Sequence, residues 1–383
     1  MNLYNYGSHH ISKNDIEIVK KTLLNGTLTQ GNLVGVFEKK LSQYFGSKYT
    51  TVFSNGSSAL IALGKALNWS KNDLIITTPI TFVASSNCAL HLGAKVDFVD
   101  IDPITINISC QHLEDKIKNI RKKNIKNNLS VIAVDFAGLP CDWNNLRYLA
   151  NKYSFTLIND NCHALGAKYY GSRKYAVQYA DAVTQSYHPV KNFTTGEGGS
   201  VLVNDKNLDT KLKEIRDHGI KRDNFKKKQP LWYYEMNKLG FNFRLNEISC
   251  ALGISQLKSL NKYIDKREKI AKFYSKIFSN HNLKLPFSDK NSQTSNHIFY
   301  LRYNFPNLQS KNTFFDKLLN KNIKLQVHYI PVYKHPFYKK ILANDFQLAN
   351  AEQYYHETFS IPMHYKLNQK DLEYISKSIL DSL

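Results

Sequence analysis

Short apolar runs alternate with helix-length segments through the first 205 residues, and this alternation constrains the fold more than any other feature. Ser12 and Asp15 form a capping-box-like start of the first helical segment, and Gly26 follows its end. Strand-like runs cover residues 49–54, 74–79, 95–101, 130–136, 155–160, 182–187 and 200–203, with helix-like segments at 56–67 and 85–92. Strands that alternate with helices predict an α/β fold with a mostly parallel sheet covered on both faces.

The regular alternation ends near residue 246. A long helix is predicted from Asn246 to about Phe278, because apolar side chains recur there at helical spacing. Beyond it lie strand-like runs at 297–305 and 325–330, a helix-like run at 313–322, and a closing helix from Gln369. We therefore predict a large domain over residues 1–250 and a smaller α+β domain over residues 251–383, joined by the long helix.

Composition narrows the class of protein. A chain of 383 residues with 42% hydrophobic and 22% charged residues can bury a large core, which excludes disorder. The formal charge of +21 favours a nucleic-acid-binding protein as one alternative. The densest basic clusters, at 121–123 and 226–228, lie in no zinc-finger, RNA-binding or heptad pattern, so we favour a lysine-rich surface and expect no nucleic-acid partner.

Cysteine usage and hydropathy indicate the compartment. Five scattered cysteines without a C-x-x-C pair predict neither a disulfide framework nor a metal site. The first ten residues lack a basic start followed by an apolar stretch, and no apolar run approaches the roughly 18 residues of a membrane span. We expect a cytoplasmic protein that does not bind a membrane.

Candidate ligand-binding residues follow the predicted strands, because ligands bind at the carboxyl ends of the strands in such sheets. Gly56 and Ser57 begin a helix after the first strand and offer either a phosphate site or a plain helix cap. Phe82 could stack on a flat ring or pack in the core. Asp160 could pair with a protonated ring nitrogen or form a structural ion pair, and nearby His163 could equally be a core histidine.

Lys191 lies among aromatic, apolar and glycine residues in the segment from Ser186 to Gly199. Burial lowers the pKa of a lysine and makes its amine nucleophilic towards carbonyls, as a Schiff base requires. A phosphate cradle, a stacking aromatic residue, a carboxylate and this lysine occur in that order along the chain. Together they predict a pyridoxal 5′-phosphate site, since this cofactor is an electron sink with a ring nitrogen kept protonated.

With these motifs the sequence resembles the DegT-like sugar-nucleotide aminotransferases of fold type I, from Leu28-Thr29-Gln30-Gly31 to Ser360-Ile361-Pro362-Met363-His364. The resemblance implies a large domain with a seven-stranded sheet and a smaller C-terminal domain. It also implies that Lys191 binds the cofactor, that Asp160 holds the pyridine nitrogen, and that His163 lies beside the 3-hydroxyl. The remaining cofactor contacts that it implies are Phe82 on the ring and Gly56, Ser57 and Ser186 at the phosphate.

Other segments resemble parts of the family that reach between subunits or bind substrate. Gly240-Phe241-Asn242-Phe243-Arg244 is similar to a segment whose asparagine, here Asn242, contacts the cofactor phosphate of the other subunit. This implies a homodimer with shared active sites. The substrate-binding residues implied by resemblance are Gln30, His328, Tyr329 and Tyr333.

The residues around Lys191 resemble members that aminate carbon 4 of a nucleotide-linked 4-keto-6-deoxy sugar, in particular the UDP-linked substrate of pseudaminic acid biosynthesis, with L-glutamate as donor. Alternatives within the family are dTDP- or GDP-linked sugars, perosamine-like products, or amination at carbon 3. Lysine at this position argues against the dehydratase relatives, which have histidine. The sequence departs from the common family pattern at Ser57, Asn159, Gln185 and Tyr187. We expect Gln185 and Tyr187 to border the cofactor.

Overall fold

The computed structural model describes residues 3–122, 128–221, 230, 232–343 and 345–383. The basic cluster at 226–228 and Lys123 lie outside the described residues. In chain order the strands are β1 (Tyr49–Phe53), β2 (Asp73–Thr77), β3 (Lys95–Phe98), β4 (Asn128–Val134), β5 (Thr156–Asp160), β6 (Lys168–Tyr169), β7 (Ala182–Ser186), β8 (Gly199–Val203), β9 (Ile220–Lys221), β10 (Glu235–Met236), β11 (Ser292–Gln293), β12 (Phe299–Arg302) and β13 (Thr358–Ile361).

The helices cover both faces of the main sheet and much of the C-terminal part. In chain order they are α1 (Lys13–Asn25), α2 (Asn32–Phe45), α3 (Gly56–Ala66), α4 (Ala84–Leu90), α5 (Cys110–Lys122), α6 (Trp143–Tyr153), α7 (Tyr175–Tyr179), α8 (Lys206–Arg216), α9 (Glu247–Lys258), α10 (Leu260–Phe278), α11 (Leu308–Asn320), α12 (Pro336–Lys339), α13 (Ala349–Glu357) and α14 (Gln369–Leu380). Within the described ranges, no helix is long and apolar enough to cross a membrane.

The main sheet has the strand order β1-β8-β7-β5-β4-β2-β3 in the described part of the chain. β8 runs antiparallel to both of its neighbours, and the other pairings are parallel. Its strands are largely buried because each face packs on an apolar cluster, one around Phe37 and Trp143 and the other around Leu63 and Trp69. Each of the seven predicted runs overlaps one of these strands, so the predicted sheet is confirmed.

The first predicted helix is also confirmed at both ends. Ser12 and Asp15 exchange the two hydrogen bonds of a capping box, and Gly26 ends α1. The apolar side of α1 is not buried within the chain, because Ile16 and Leu23 remain exposed.

The C-terminal part corrects two expectations. The single long helix predicted from residue 246 is two helices, α9 and α10, because Ser259 interrupts the regular backbone hydrogen bonding and caps both. The strand predicted at 325–330 does not form. Gln326 makes only an isolated bridge to Ser360 of β13, and β13 pairs instead with β12. The division into domains at residue 250 stays a prediction.

Candidate active site

The carboxyl ends of the mutually parallel strands meet at one edge of the main sheet, and the predicted site residues follow them. Gly56 and Ser57 follow β1, Phe82 follows β2, and Asp160 ends β5. β7 leads through Ser186 into the loop of Lys191. The order of the strands therefore brings residues from distant parts of the sequence to a single edge.

Asp160 is buried at the end of β5, with both carboxylate oxygens held by neighbours. Ser85 Oγ donates to Oδ2 at 2.7 Å, and the Cys162 N–H donates to Oδ1 at 3.2 Å. Thr81 Oγ1 lies 2.9 Å from Ser85 Oγ and holds that serine in turn. Among the described residues, no lysine or arginine forms an ion pair with Asp160. The carboxylate is therefore oriented and still lacks a cationic partner.

Lys191 lies in the loop between β7 and β8, where its backbone N–H donates to the His188 carbonyl oxygen at 2.9 Å. Burial lowers the pKa of its amine below the usual value, and the nearby Cys162 and Asp160 act in the opposite direction. A lowered pKa increases the neutral fraction of the amine, which is the form that attacks a carbonyl carbon. Lys191 thus has the chemistry that Schiff-base formation requires.

The start of α3 forms a cradle for an anion. Asn55 caps the helix by accepting from the Ser58 N–H at 2.8 Å, while the amides of Gly56 and Ser57 occupy the first helical positions, which have no acceptor within a helix. A Cβ atom at Gly56 would lie 2.9 Å from Ser186 Cβ, so only glycine lets the helix start this close to that serine. Backbone donors, hydroxyl groups and the positive end of the helix dipole suit a phosphate.

His163 and Tyr329 meet although 166 residues separate them. The Tyr329 hydroxyl lies 3.0 Å from His163 Nε2, and the Ala137 N–H points at His163 Nδ1 from 3.4 Å. Since Nδ1 accepts, Nε2 carries the proton and donates to the Tyr329 oxygen. Burial, reinforced by Lys191, lowers the pKa of His163 well below its usual value, so the ring is neutral. Phe82 is 56% exposed, with its ring 6.4 Å from that of Tyr329.

Two further predicted substrate residues are buried. His328 Nδ1 lies 2.9 Å from Ser360 Oγ, and burial lowers the pKa of His328 to about 3. Tyr333 packs in an apolar cluster with Phe98, and its hydroxyl donates to Glu352 Oε1 at 3.0 Å. Among the described residues, Tyr333 has no hydrogen bond to Lys191 or His163. The substrate-binding roles of both residues stay predictions.

Gln30 and Asn242 belong to a second cluster around Asp217. Gln30 Nε2 donates to Asp217 Oδ2 at 3.4 Å, Arg244 forms an ion pair with the same carboxylate, and Asn242 pairs with Asp217 through a backbone bridge. Within the described residues, neither Gln30 nor Asn242 has a hydrogen bond to Lys191. The structure of one chain thus places these two predicted residues in a group separate from Lys191 and Asp160.

Three of the four departures from the family pattern lie in a buried polar network behind the site. Gln185 and Tyr187 alternate with Ser186 along the chain, and the Tyr187 hydroxyl donates to Gln185 Oε1 at 2.9 Å. Neither side chain is exposed. They therefore bond to each other in the interior, and the expectation that they border the cofactor stays a prediction. Asn159 joins the same network through Asp135.

Sequence reasoning missed the residues that hold the predicted ones in place. Ser85, which orients Asp160, and the backbone of Ala137, which selects the tautomer of His163, carry no motif. Their only signal is position, because both follow a predicted strand on the same sheet edge. The arrangement fits pyridoxal phosphate: Lys191 for its aldehyde, Asp160 for its ring nitrogen and the start of α3 for its phosphate. Fold and site together define a pyridoxal-phosphate enzyme of fold type I.

The comparison with known proteins agrees with this class. The profile of the DegT/DnrJ/EryC1/StrS aminotransferase family matches residues 9–380, and the chain belongs to this family. It is therefore an enzyme, an aminotransferase that depends on pyridoxal phosphate. The family matches the resemblance noted in the sequence.

Individual relatives match over almost their whole length. The chain is 38% identical over 379 residues to a UDP-4-amino-4,6-dideoxy-N-acetyl-β-L-altrosamine transaminase of Campylobacter jejuni, covering 99% of this chain and 97% of the relative. It is 34% identical to the transaminase of the same name from Helicobacter pylori, covering 99% and 98%. The solved structure of Helicobacter pylori PseC, an aminotransferase involved in pseudaminic acid biosynthesis, matches with a TM-score of 0.90 at 33% identity, covering 100% and 99%.

Proposed function

We propose that this aminotransferase moves an amino group from L-glutamate to carbon 4 of a nucleotide-linked 4-keto-6-deoxy sugar, with UDP-2-acetamido-2,6-dideoxy-hexos-4-ulose as the substrate. The observation that carries the aminotransferase chemistry is the oriented Asp160 carboxylate, which interacts electrostatically with the buried Lys191 amine of lowered pKa. The names of two relatives support a sugar aminotransferase and favour a UDP-linked substrate. The solved relative from Helicobacter pylori favours a pseudaminic-acid-type pathway, and a Bacillus subtilis relative named for spore coat polysaccharide biosynthesis favours a surface polysaccharide as the product. The five free cysteines suit the reducing cytoplasm.

The proposed roles follow from what each group can do with a proton. Pyridoxal phosphate, when bound, supplies an electron sink for the carbon that loses its proton. Lys191 binds the cofactor and, once its amine is released, takes the proton from the α carbon of glutamate and later delivers one at carbon 4 of the sugar. Asp160 holds the proton on the ring nitrogen, and Ser85 keeps the carboxylate directed at that atom.

The surrounding residues bind and orient. Gly56, Ser57 and Ser186 would offer N–H and O–H donors to the cofactor phosphate, and the exposed Phe82 side chain would stack on the cofactor ring. His163 donates to Tyr329, which leaves the phenolic proton of Tyr329 free to point towards a bound ligand. For the sugar nucleotide we propose contacts with Gln30, His328, Tyr329 and Tyr333.

We further propose that the chain works as a homodimer in which Asn242 serves the partner's site. Exposed apolar surface supports this, because Leu24 is 70% exposed at an apolar groove along α1, and Trp232 is 76% exposed before the segment of Asn242. A second copy would cover both surfaces. The apolar residues of the groove are Ile11, Ile16, Val19, Leu23, Leu24 and Leu252.

The dimer can be tested at the α1 groove. Leu24→Glu places a charge in the groove and is expected to raise the dimer dissociation constant at least tenfold, measured by light scattering of a dilution series. Leu308→Glu is the matched control, since Leu308 is also exposed but lies on α11. A wild-type protein that is monomeric at micromolar concentration would contradict the proposal.

The substrate is tested by incubating the purified enzyme with L-glutamate and the UDP-, dTDP- or GDP-linked 4-keto sugars, with the product assigned by NMR. We expect an amino group at carbon 4 of the UDP sugar, a shift of the yellow absorbance towards the ultraviolet with glutamate alone, and loss of both in Lys191→Ala. Amination at carbon 3, or of a dTDP or GDP sugar only, would replace the proposed substrate. A protein that stays colourless with added pyridoxal phosphate and binds DNA in a salt-dependent manner would favour the nucleic-acid alternative.

A further inference from the structure

Asp135 is a fully buried carboxylate at the end of β4 that accepts five hydrogen bonds. It directly follows β4 at the same edge of the sheet as Asp160, and it belongs to the hydrogen-bonded network of Asn159. The donors to Oδ1 are the Cys141 N–H at 2.8 Å and Trp143 Nε1 at 3.0 Å; those to Oδ2 are the Tyr175 hydroxyl at 2.7 Å, Asn161 Nδ2 at 3.0 Å and Asn159 Nδ2 at 3.1 Å.

The five hydrogen bonds favour the ionised form of Asp135. Four of them come from N–H groups, which can only donate, so a protonated carboxyl group would have only the Tyr175 hydroxyl as an acceptor for its own O–H. Burial raises the pKa of Asp135, and the hydrogen bonds from Tyr175, Cys141 and the asparagines oppose this effect. In the described part of the chain, no cationic side chain forms an ion pair with it. A buried anion without a cation is costly, so its retention needs a reason.

The asparagine donors connect Asp135 to the candidate site. Asn159 and Asn161 lie on either side of Asp160 in the sequence, and both amides donate to the same oxygen of Asp135. The Asp135 N–H also donates to the Asp160 carbonyl oxygen at 3.3 Å. Because side chains alternate along a strand, fixing residues 159 and 161 on one face directs residue 160 to the other.

The same network continues to the next strand. Gln185 Nε2 donates to Asn161 Oδ1 at 3.2 Å, and the Tyr187 hydroxyl donates to Gln185 Oε1. Gln185 and Tyr187 lie on either side of Ser186, a predicted phosphate contact. The network therefore holds the flanking residues of two predicted cofactor contacts, on the neighbouring strands β5 and β7.

We propose that Asp135 is a positioning residue: by holding Asn159 and Asn161 it directs the Asp160 carboxylate at the ring nitrogen of the cofactor. The proposal rests on the role of Asp160 in the proposed function and extends it to a residue that touches neither cofactor nor substrate.

Asn159→Ala and Tyr175→Phe make a matched pair, because each removes one donor to Asp135 Oδ2. The two donors lie in different parts of the chain: Asn159 directly precedes Asp160, whereas Tyr175 lies on α7. Asn159 Oδ1 has no partner among the described residues, so the alanine variant loses no further hydrogen bond. Tyr175→Phe also removes the acceptor of Asn161 Nδ2 and disturbs the fold at least as much.

Three measurements separate positioning from stability: thermal unfolding of the cofactor-free protein, its dissociation constant for pyridoxal phosphate from fluorescence quenching, and kcat and KM. We expect Asn159→Ala to raise the dissociation constant and to lower kcat, each by about tenfold, with KM for the sugar nearly unchanged. Tyr175→Phe is expected to unfold at lower temperature but to keep the dissociation constant for pyridoxal phosphate and kcat within twofold of wild type. Equal changes of cofactor affinity in the two variants would overturn the proposal.

Asp135→Asn removes the shared acceptor charge and is expected to weaken cofactor binding more than Asn159→Ala does. Its control is Asp73→Asn. Asp73 is also a buried carboxylate, which accepts from the Ser70 N–H at 2.7 Å, but it lies at the first residue of β2, at the sheet edge away from the candidate site. If Asp135→Asn does not fold, the comparison of Asn159→Ala with Tyr175→Phe still tests the proposal. Cofactor affinity is measured without a sugar, so a wild-type enzyme inactive on 4-keto sugars would overturn the substrate proposal only.

Discussion

The hydrogen bond from Ser85 to Asp160 offers the most direct test of the site. Ser85→Ala removes a donor 2.7 Å from Asp160 Oδ2 and leaves the carboxylate with the Cys162 N–H alone. Both partners are buried, and a hydrogen bond to a buried charged group contributes about 1.5–3 kcal/mol. If that energy holds the carboxylate in its productive direction, its loss corresponds to a roughly 10- to 150-fold decrease in kcat/KM, because 1.4 kcal/mol is about a factor of ten.

Ser86→Ala is the control for this variant. Ser86 is equally buried, but its hydroxyl lies 2.6 Å from the Tyr338 hydroxyl and does not contact Asp160. In urea unfolding we expect Ser85→Ala to lose about 1.5–3 kcal/mol of stability, and Ser86→Ala, whose hydrogen bond joins two neutral hydroxyl groups, about 0.5–1.5 kcal/mol. Only Ser85→Ala should lower kcat/KM and weaken binding of pyridoxal phosphate. If Ser85→Ala stays within twofold of wild type in both constants, the hydrogen bond does not orient the carboxylate and the reasoning is refuted.

Two further predictions concern the phosphate cradle and stability at alkaline pH. Gly56→Ala places a Cβ atom 2.9 Å from Ser186 Cβ, so we expect the free energy of unfolding to fall by about 1–3 kcal/mol and cofactor binding to weaken. The control is Gly35→Ala, which should stabilise α2 because no atom lies within 4 Å of the new Cβ. Burial lowers the pKa of Lys311 to about 8 from its ordinary 10.5. Because the unfolded chain binds this proton more tightly, folding becomes more favourable between pH 8 and 10.5, by up to about 3 kcal/mol, and urea unfolding of Lys311→Met should lack this increment.

Local pattern was sufficient for the sheet and for three of the helices beside it, α1, α3 and α4. A strand buried on both faces needs a continuous apolar run, and a helix start needs a cap, so both are visible within a few residues. The C-terminal part was harder because its decisive contacts are not local. Ser259 gives no sequence signal of a helix break, and Gln326 pairs with Ser360 only through an isolated bridge.

For the site, the sequence alone determined the cofactor chemistry. Lys191, Asp160 and the Gly56 helix start are each defined by residue type and by position after a strand, which is information held within a few residues. The tertiary structure alone decided which groups support them. Ser85 donates to Asp160, Tyr329 contacts His163, and Asp135 accepts from Asn159 and Asn161. These contacts join residues 24 to 166 positions apart. Only the packing of strands and loops sets such distances, so no periodicity or spacing in the chain could reveal them.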